Sequence, residues 1–130
     1  MTNIYWTTAL TLVDNLMPYE CVVPGNLEQA VSRYKEIKKS DPGNRMIRED
    51  RLNTIGYNYL NTKKYTEAIN IFKIITEIYP ESWNAFDSLG EAYMKVGNNE
   101  LAIENYEKSI KLNPDSKSGA EALMHLKENK

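Results

Sequence analysis

Cysteine and histidine are almost missing from this chain: among 130 residues, Cys21 and His125 are the single examples of each. One cysteine cannot close an intrachain disulfide or build a multi-cysteine metal site. One histidine removes paired-histidine metal sites and most histidine relay chemistry. No cofactor and no metal is therefore expected. An excess of one charge is missing too, since 16 Lys and Arg face 18 Asp and Glu for a net charge of −2. That balance gives no bulk attraction to nucleic acid or to an anionic membrane, and neither is expected as a partner. Long apolar runs are absent, because charges or prolines interrupt each one before it reaches bilayer-spanning length. The N-terminal stretch MTNIYWTTALTLVD lacks the basic start and unbroken apolar core of a secretory signal. The chain as given is expected to be soluble and cytoplasmic, with the periplasm left open for a longer parent. What is present is an ordinary composition, 42% apolar and 26% charged, enough for one domain or a short stack of repeats.

Three prolines stand in similar company: Ser40-Asp41-Pro42-Gly43, Ile78-Tyr79-Pro80-Glu81 and Leu112-Asn113-Pro114-Asp115. Each follows a segment of helical period, and proline ends propagation by lacking an N–H and restricting its predecessor. Pro80 and Pro114 are 34 residues apart, and that offset lays 49–82 over 83–116. Ile55-Gly56 then falls on Leu89-Gly90, Tyr59 on Tyr93, Ala68-Ile69 on Ala102-Ile103, and Phe72 on Tyr106. Matches at this many spaced positions define an internal repeat.

Each unit reads as two helices. In 83–116, Phe86, Leu89, Gly90, Tyr93 and Met94 recur at three- and four-residue spacing along one face. Gly97-Asn98 breaks the pattern, and Leu101, Ala102, Ile103, Tyr106, Ser109 and Ile110 mark the partner helix. Gly90 and Ala102 are small where the two axes should approach, and Tyr93 and Tyr106 bring large apolar area to that contact. The unit resembles the tetratricopeptide repeat, a helix–turn–helix with aromatic, Leu-Gly, Tyr, Ala, aromatic, small residue and Pro at fixed intervals. The resemblance implies an all-α fold: a superhelical array of helix–turn–helix units with a C-terminal capping helix. In 49–82 it runs through Leu52, Ile55, Gly56, Tyr59, Ala68, Phe72 and Pro80, with two departures. Ile75 fills a usually small position, and Lys63 stands where the inter-helix glycine usually lies.

Outside the two complete repeats the organisation is less regular. Residues 1–26 read as an N-terminal helix and an irregular crossing, 27–48 as a partial repeat and turn, and 117–130 as the capping helix. Ala30, Tyr34, Ile37 and Pro42 resemble the second half of a repeat. Pro42 and Pro80 are 38 residues apart, four more than the period, so the following helix is expected to be one turn longer through 45–48. Ser118-x-x-Glu121 is a candidate capping box for a closing helix carrying Ala122, Leu123 and Leu126. The order of pieces also resembles the C-terminal extension of bacterial β-lactamase-like serine hydrolases. That likeness rests on a helix at 9–16, a crossing at 17–24, Asp41-Pro42, Ile55-Gly56-Tyr57 and Phe86-Asp87-Ser88-Leu89-Gly90-Glu91-Ala92-Tyr93. It implies an appendage whose chemistry lies elsewhere.

Catalytic motifs do not survive their context. Ser32-x-x-Lys35 and Tyr59-x-Asn61 match elements of penicillin-binding enzymes, but both fall inside helical repeats with no Lys-Thr-Gly strand to complete a site. The chain is read as no enzyme, and no catalytic residue is assigned. The repeat resemblance implies instead a groove on the first helices, with Asn53, Tyr57, Asn61, Asp87, Ser88, Glu91 and Lys95 facing it. Asp87 and Glu91 disfavour a free C-terminal carboxylate, because like charges would meet. A protein or peptide with basic or polar side chains is the expected partner. Ile4, Tyr5, Trp6, Leu10 and Leu12 offer a second, homo-oligomeric contact through the N-terminal segment.

Overall fold

A computed structural model describes residues 27–128. The expected helix at 9–16, the crossing at 17–24, Cys21 and the apolar positions from Ile4 to Leu12 lie outside the described residues. Among the described residues, six α-helices follow one another with no strand between them. They are α1 (Leu27–Ser40), α2 (Glu49–Asn61), α3 (Tyr65–Ile78), α4 (Trp83–Lys95), α5 (Asn99–Leu112) and α6 (Lys117–Glu128). A single 3-10 turn, Arg45–Ile47, separates α1 from α2.

The helices pair as α2 with α3 and α4 with α5, and these hairpins stack through α3 on α4. α6 covers α5 at one end. The turns inside the two hairpins are the same. Lys64 N–H donates to Tyr59 O (2.8 Å) and Asn98 N–H to Tyr93 O (2.9 Å). Lys63 N–H bonds Leu60 O (3.1 Å) and Gly97 N–H bonds Met94 O (3.0 Å). Both turns need a residue with positive φ, and Lys63 at 64° takes the place that Gly97 takes at 82°. A lysine there carries a Cβ close to its own carbonyl, whereas glycine does not. Lys63→Gly should therefore raise stability by about 1 kcal/mol; a thermal melt no higher than that of the unaltered chain would count against this.

Close approach within each hairpin is set by glycine against an aromatic ring. A Cβ on Gly56 would lie 2.5 Å from Phe72 Cε1, and one on Gly90 would lie 3.1 Å from the Tyr106 ring. Ala68 and Ala102 are fully buried beside them. Ile71, Ile74, Ile75 and Ile78 extend this core along α3, which neighbours α1, α2 and α4 and so is covered on most sides. Ile75 at its usually small position is accommodated there with no exposed area.

The first unit departs from the period in a way the sequence misrepresents. Residues 45–48 do not lengthen α2. Asn44 Oδ1 accepts from Met46 N–H (2.8 Å) and starts a separate 3-10 turn, and Arg48, extended at φ −62° and ψ 132°, ends it. The extended backbone at Arg48 breaks the helical path between Ile47 and Glu49, and Met46 and Ile47 are buried on the turn before it. α1 consequently packs on α3 and on this turn. Four interactions tie α1 and the turn to the end of α3. The Lys38 ammonium donates to Ile78 O and sits 4.4 Å above the Tyr79 ring. The Tyr79 hydroxyl donates to Ile47 O at 2.5 Å. Lys35 pairs with Glu77 at 3.3 Å. Lys38 thereby satisfies a carbonyl at the negative end of α3 that has no helical partner.

The cap of α6 is also two residues away from expectation. Ser116, not Ser118, accepts the Gly119 N–H (3.4 Å), and Ser116 is buried while Ser118 lies in the first turn of the helix. Gly119 fits close to Ile110, whose Cγ1 would be 3.2 Å from an added Cβ.

Candidate functional site

α2 and α4 are the first helices of the two hairpins, and the positions Asn53, Tyr57 and Asn61 recur one period later as Asp87, Glu91 and Lys95. Spacing of four keeps each trio on one helical face. The structure joins four of the seven sequence candidates through hydrogen bonds between the two helices. Tyr57 OH donates to Glu91 Oε1 (2.9 Å) and lies 3.2 Å from Ser88 Oγ, which lies 3.0 Å from Asn53 Oδ1. The Ser88 hydroxyl donates to Asn53 Oδ1, and the Tyr57 hydroxyl is shared between Ser88 Oγ and Glu91 Oε1.

This chain is braced from below. The Tyr57 ring meets Phe72 edge-on, with centroids 5.2 Å apart and planes at 66°. Burial is the main cause that pushes the Tyr57 phenol up to about 12, with the neighbouring Glu91 carboxylate adding to it and the Ser88 hydroxyl opposing it. Tyr57 is thus a neutral hydroxyl throughout the physiological range, and it holds the Glu91 carboxylate by donating to it.

Ser88 corrects the sequence reading. It is 1% exposed, so it is not a groove contact but the buried link that connects Asn53 to Tyr57. Asp87 is half-buried and close to α6: Ser118 Oγ lies 3.4 Å from Asp87 Oδ2. Burial raises the Asp87 carboxyl above the ordinary carboxylate range, the Glu91 charge raises it further, and the Ser118 hydroxyl works the other way. Neither Asp87 nor Glu91 has an ion-pair partner among the described residues. Asn61 and Lys95 are exposed last residues of their helices and do not join the network. Ser118 escaped the sequence reading because it was taken for a cap. Ser32 and Lys35 are exposed on α1, and the Lys35 ion pair with Glu77 occupies its ammonium.

Toward the N-terminal ends of α2 and α4 the same face opens into a cleft of about 1070 Å³. Asn53, Thr54, Tyr79, Trp83 and Asn84 line it, with Arg48 and Asp50 at its edge. Trp83, one of the exposed large apolar residues, supplies an indole wall. Its neighbour Ser82 is engaged twice, donating to Glu49 and accepting the Ala85 N–H (3.2 Å) as the cap of α4.

Helix–turn–helix units stacked on one another, with the first helix of each contributing to one polar face, define an α-helical repeat array. Two family models, both described as tetratricopeptide repeat, match residues 54–82 and residues 88–116, so those two stretches are similar to that repeat. It is 25% identical over 104 residues to DnaJ homolog subfamily C member 3 of Bos taurus, covering 80% of this chain and only 21% of that relative. Among solved structures, a mutant of MamA is similar in fold, with TM-score 0.66 and 18% identity over 90% of this chain and 82% of that one. The first TPR of Spaghetti (RPAP3), bound to the HSP90 peptide SRMEEVD, is similar with TM-score 0.60 and 18% identity, covering 91% of this chain and 90% of that one.

Proposed function

We propose that the chain is a non-catalytic interaction module whose α2–α4 face binds a peptide segment through a basic side chain. The observation that carries this reading is the pair Asp87 and Glu91, one helical turn apart, partly buried, and without a counter-cation among the described residues. Like charges at this spacing destabilise a helix by about 0.2–0.5 kcal/mol, and partial burial adds to that cost. A Lys or Arg side chain entering between them relieves both. The peptide held by the Spaghetti (RPAP3) domain supports a peptide as the kind of ligand such a fold takes. Tyr57, Ser88 and Asn53 act by holding Glu91 in place.

The test is selection of ligands from a random decapeptide display library by the full chain, followed by titration of a selected peptide. Peptides rich in Lys or Arg are expected. Asp87→Lys combined with Glu91→Lys should weaken binding at least about tenfold, the scale of losing one charge-assisted hydrogen bond. Unchanged affinity overturns the assignment. Acidification gives a second readout. Because the folded Asp87 has a raised pKa, it takes up its proton at higher pH than an ordinary aspartate, and affinity for a cationic ligand should fall from that higher pH. Stability moves the other way. The folded form binds the proton more tightly than the unfolded chain, so Asp87 disfavours folding at neutral pH and that penalty fades as pH falls toward 3.8. Asp87→Asn should therefore raise the melting temperature at pH 7 and leave it unchanged well below that point.

A further inference from the structure

All four arginines of the chain, Arg33, Arg45, Arg48 and Arg51, fall between residues 33 and 51. The four residues that lengthen the first period carry two of them. Met46 and Ile47 anchor the 3-10 turn in the core, and Arg45 and Arg48 on either side of that anchor are exposed. Together with Arg51 and Asn44 they line a hollow of about 770 Å³. Two carboxylates also line it, and both are engaged. Arg48 binds Asp50 through two bonds, Nε to Oδ1 (3.1 Å) and an Nη2 contact to Oδ2 (2.6 Å). Asn44 Nδ2 donates to Asp41 Oδ2 at 3.3 Å. The Arg45 guanidinium has no ion-pair partner among the described residues. Guanidinium groups suit a carboxylate better than ammonium groups do, because their planar fork donates two parallel hydrogen bonds.

The hollow adjoins the cleft at the Arg48–Asp50 pair. Arg48 and Asp50 line both it and the cleft that contains Asn53 and Trp83. From Arg48, which caps α2, to Tyr57 the helix rises about 14 Å. An extended peptide spans that length in about four residues. We propose that the hollow receives an acidic side chain of the same peptide whose basic side chain lies between Asp87 and Glu91. This rests on the groove reading and sharpens it: the ligand is bipolar, with Asp or Glu about four residues from Lys or Arg.

The library selection is repeated with the full chain carrying Arg45→Glu, with Arg45→Lys as the conservative variant. The unaltered chain should enrich peptides with an acidic residue at about that separation from a basic one. Arg45→Glu should erase the acidic preference while keeping the basic one, and should weaken a selected bipolar peptide at least about tenfold. Arg45→Lys should bind it with intermediate affinity. Arg45 is exposed, so a circular dichroism melt matching the unaltered chain separates these outcomes from misfolding. Enrichment of basic residues alone, unmoved by Arg45→Glu, overturns the bipolar ligand and leaves the groove reading standing. Enrichment of neither charge overturns both.

Discussion

Tyr106→Ala is expected to lower the unfolding free energy by about 3–5 kcal/mol, the usual cost of deleting a large buried aromatic side chain. The ring is 3% exposed and seated directly on Gly90, with Ala102 on its own helix also buried. Where the ring meets Gly90 it faces backbone, which offers no side chain to fill the space on that side. The cavity should therefore stay open, which puts the cost in the upper part of the range for such truncations. Denaturant unfolding followed by circular dichroism measures it, with Lys95→Ala as an exposed control expected to stay within about 0.5 kcal/mol. A loss below about 1 kcal/mol at Tyr106 would mean that α4 and α5 do not pack through this ring.

Gly56→Ala comes next, and two effects compete over its sign. Alanine is the better helix former by about 0.8–1.0 kcal/mol, so in an open helix the change would stabilise. Here the new methyl would sit 2.5 Å from Cε1, 2.8 Å from Cζ and 3.0 Å from Cδ1 of Phe72, three atoms of one rigid ring with no exposed area. Tyr57 leans on the same ring from the side, which limits how far it can tilt. Overpacking of this kind costs about 1–3 kcal/mol, enough to outweigh propensity and leave a net loss. The equivalent change at Gly90 meets its ring at 3.1 Å and should cost less. Phe72→Leu introduced with Gly56→Ala should recover part of the loss, which a double-mutant cycle reads as coupling between the two positions. A higher melting temperature for Gly56→Ala would reject the close approach of α2 and α3.

These two positions also show why the repeat was legible. A glycine opposite an aromatic ring constrains residue type at both partners, so the constraint reappears one period later as Gly90 and Tyr106. The turn at Lys63 was legible for a related reason: its backbone demand is the same as that of Gly97, and only the residue type conflicts with it. The insertion at 45–48 was not legible as a turn. Four residues equal one helical turn in length, and arithmetic alone favoured continuation, whereas the Asn44 cap and the extended Arg48 set the turn apart from α2. Ser88 was misplaced because periodicity assigns a face to a residue but does not say how closely the next helix lies against that face. Its hydroxyl looked like surface chemistry and turned out to be an internal connection between two surface residues. Likewise Ser116 and Ser118 both satisfy the composition of a cap, and the geometry of α6 alone selects the first.

The ties around Lys38 and Tyr79 have a mechanical consequence. A stack of helices bends where one layer can open from the next, and the insertion of the 3-10 turn makes the junction of α1 with α3 the natural place for it. There Lys38 bonds the end of α3, covers the Tyr79 ring, and Tyr79 in turn fastens the insert through Ile47. Opening this junction would strip several bonds at once, so it behaves as a stiff splice, not a hinge. The interface between the hairpins is tied as well, with Tyr57 reaching Ser88 and Glu91 from one layer to the other. A twist between these two layers would load the bond from the Tyr57 hydroxyl to the Glu91 carboxylate directly.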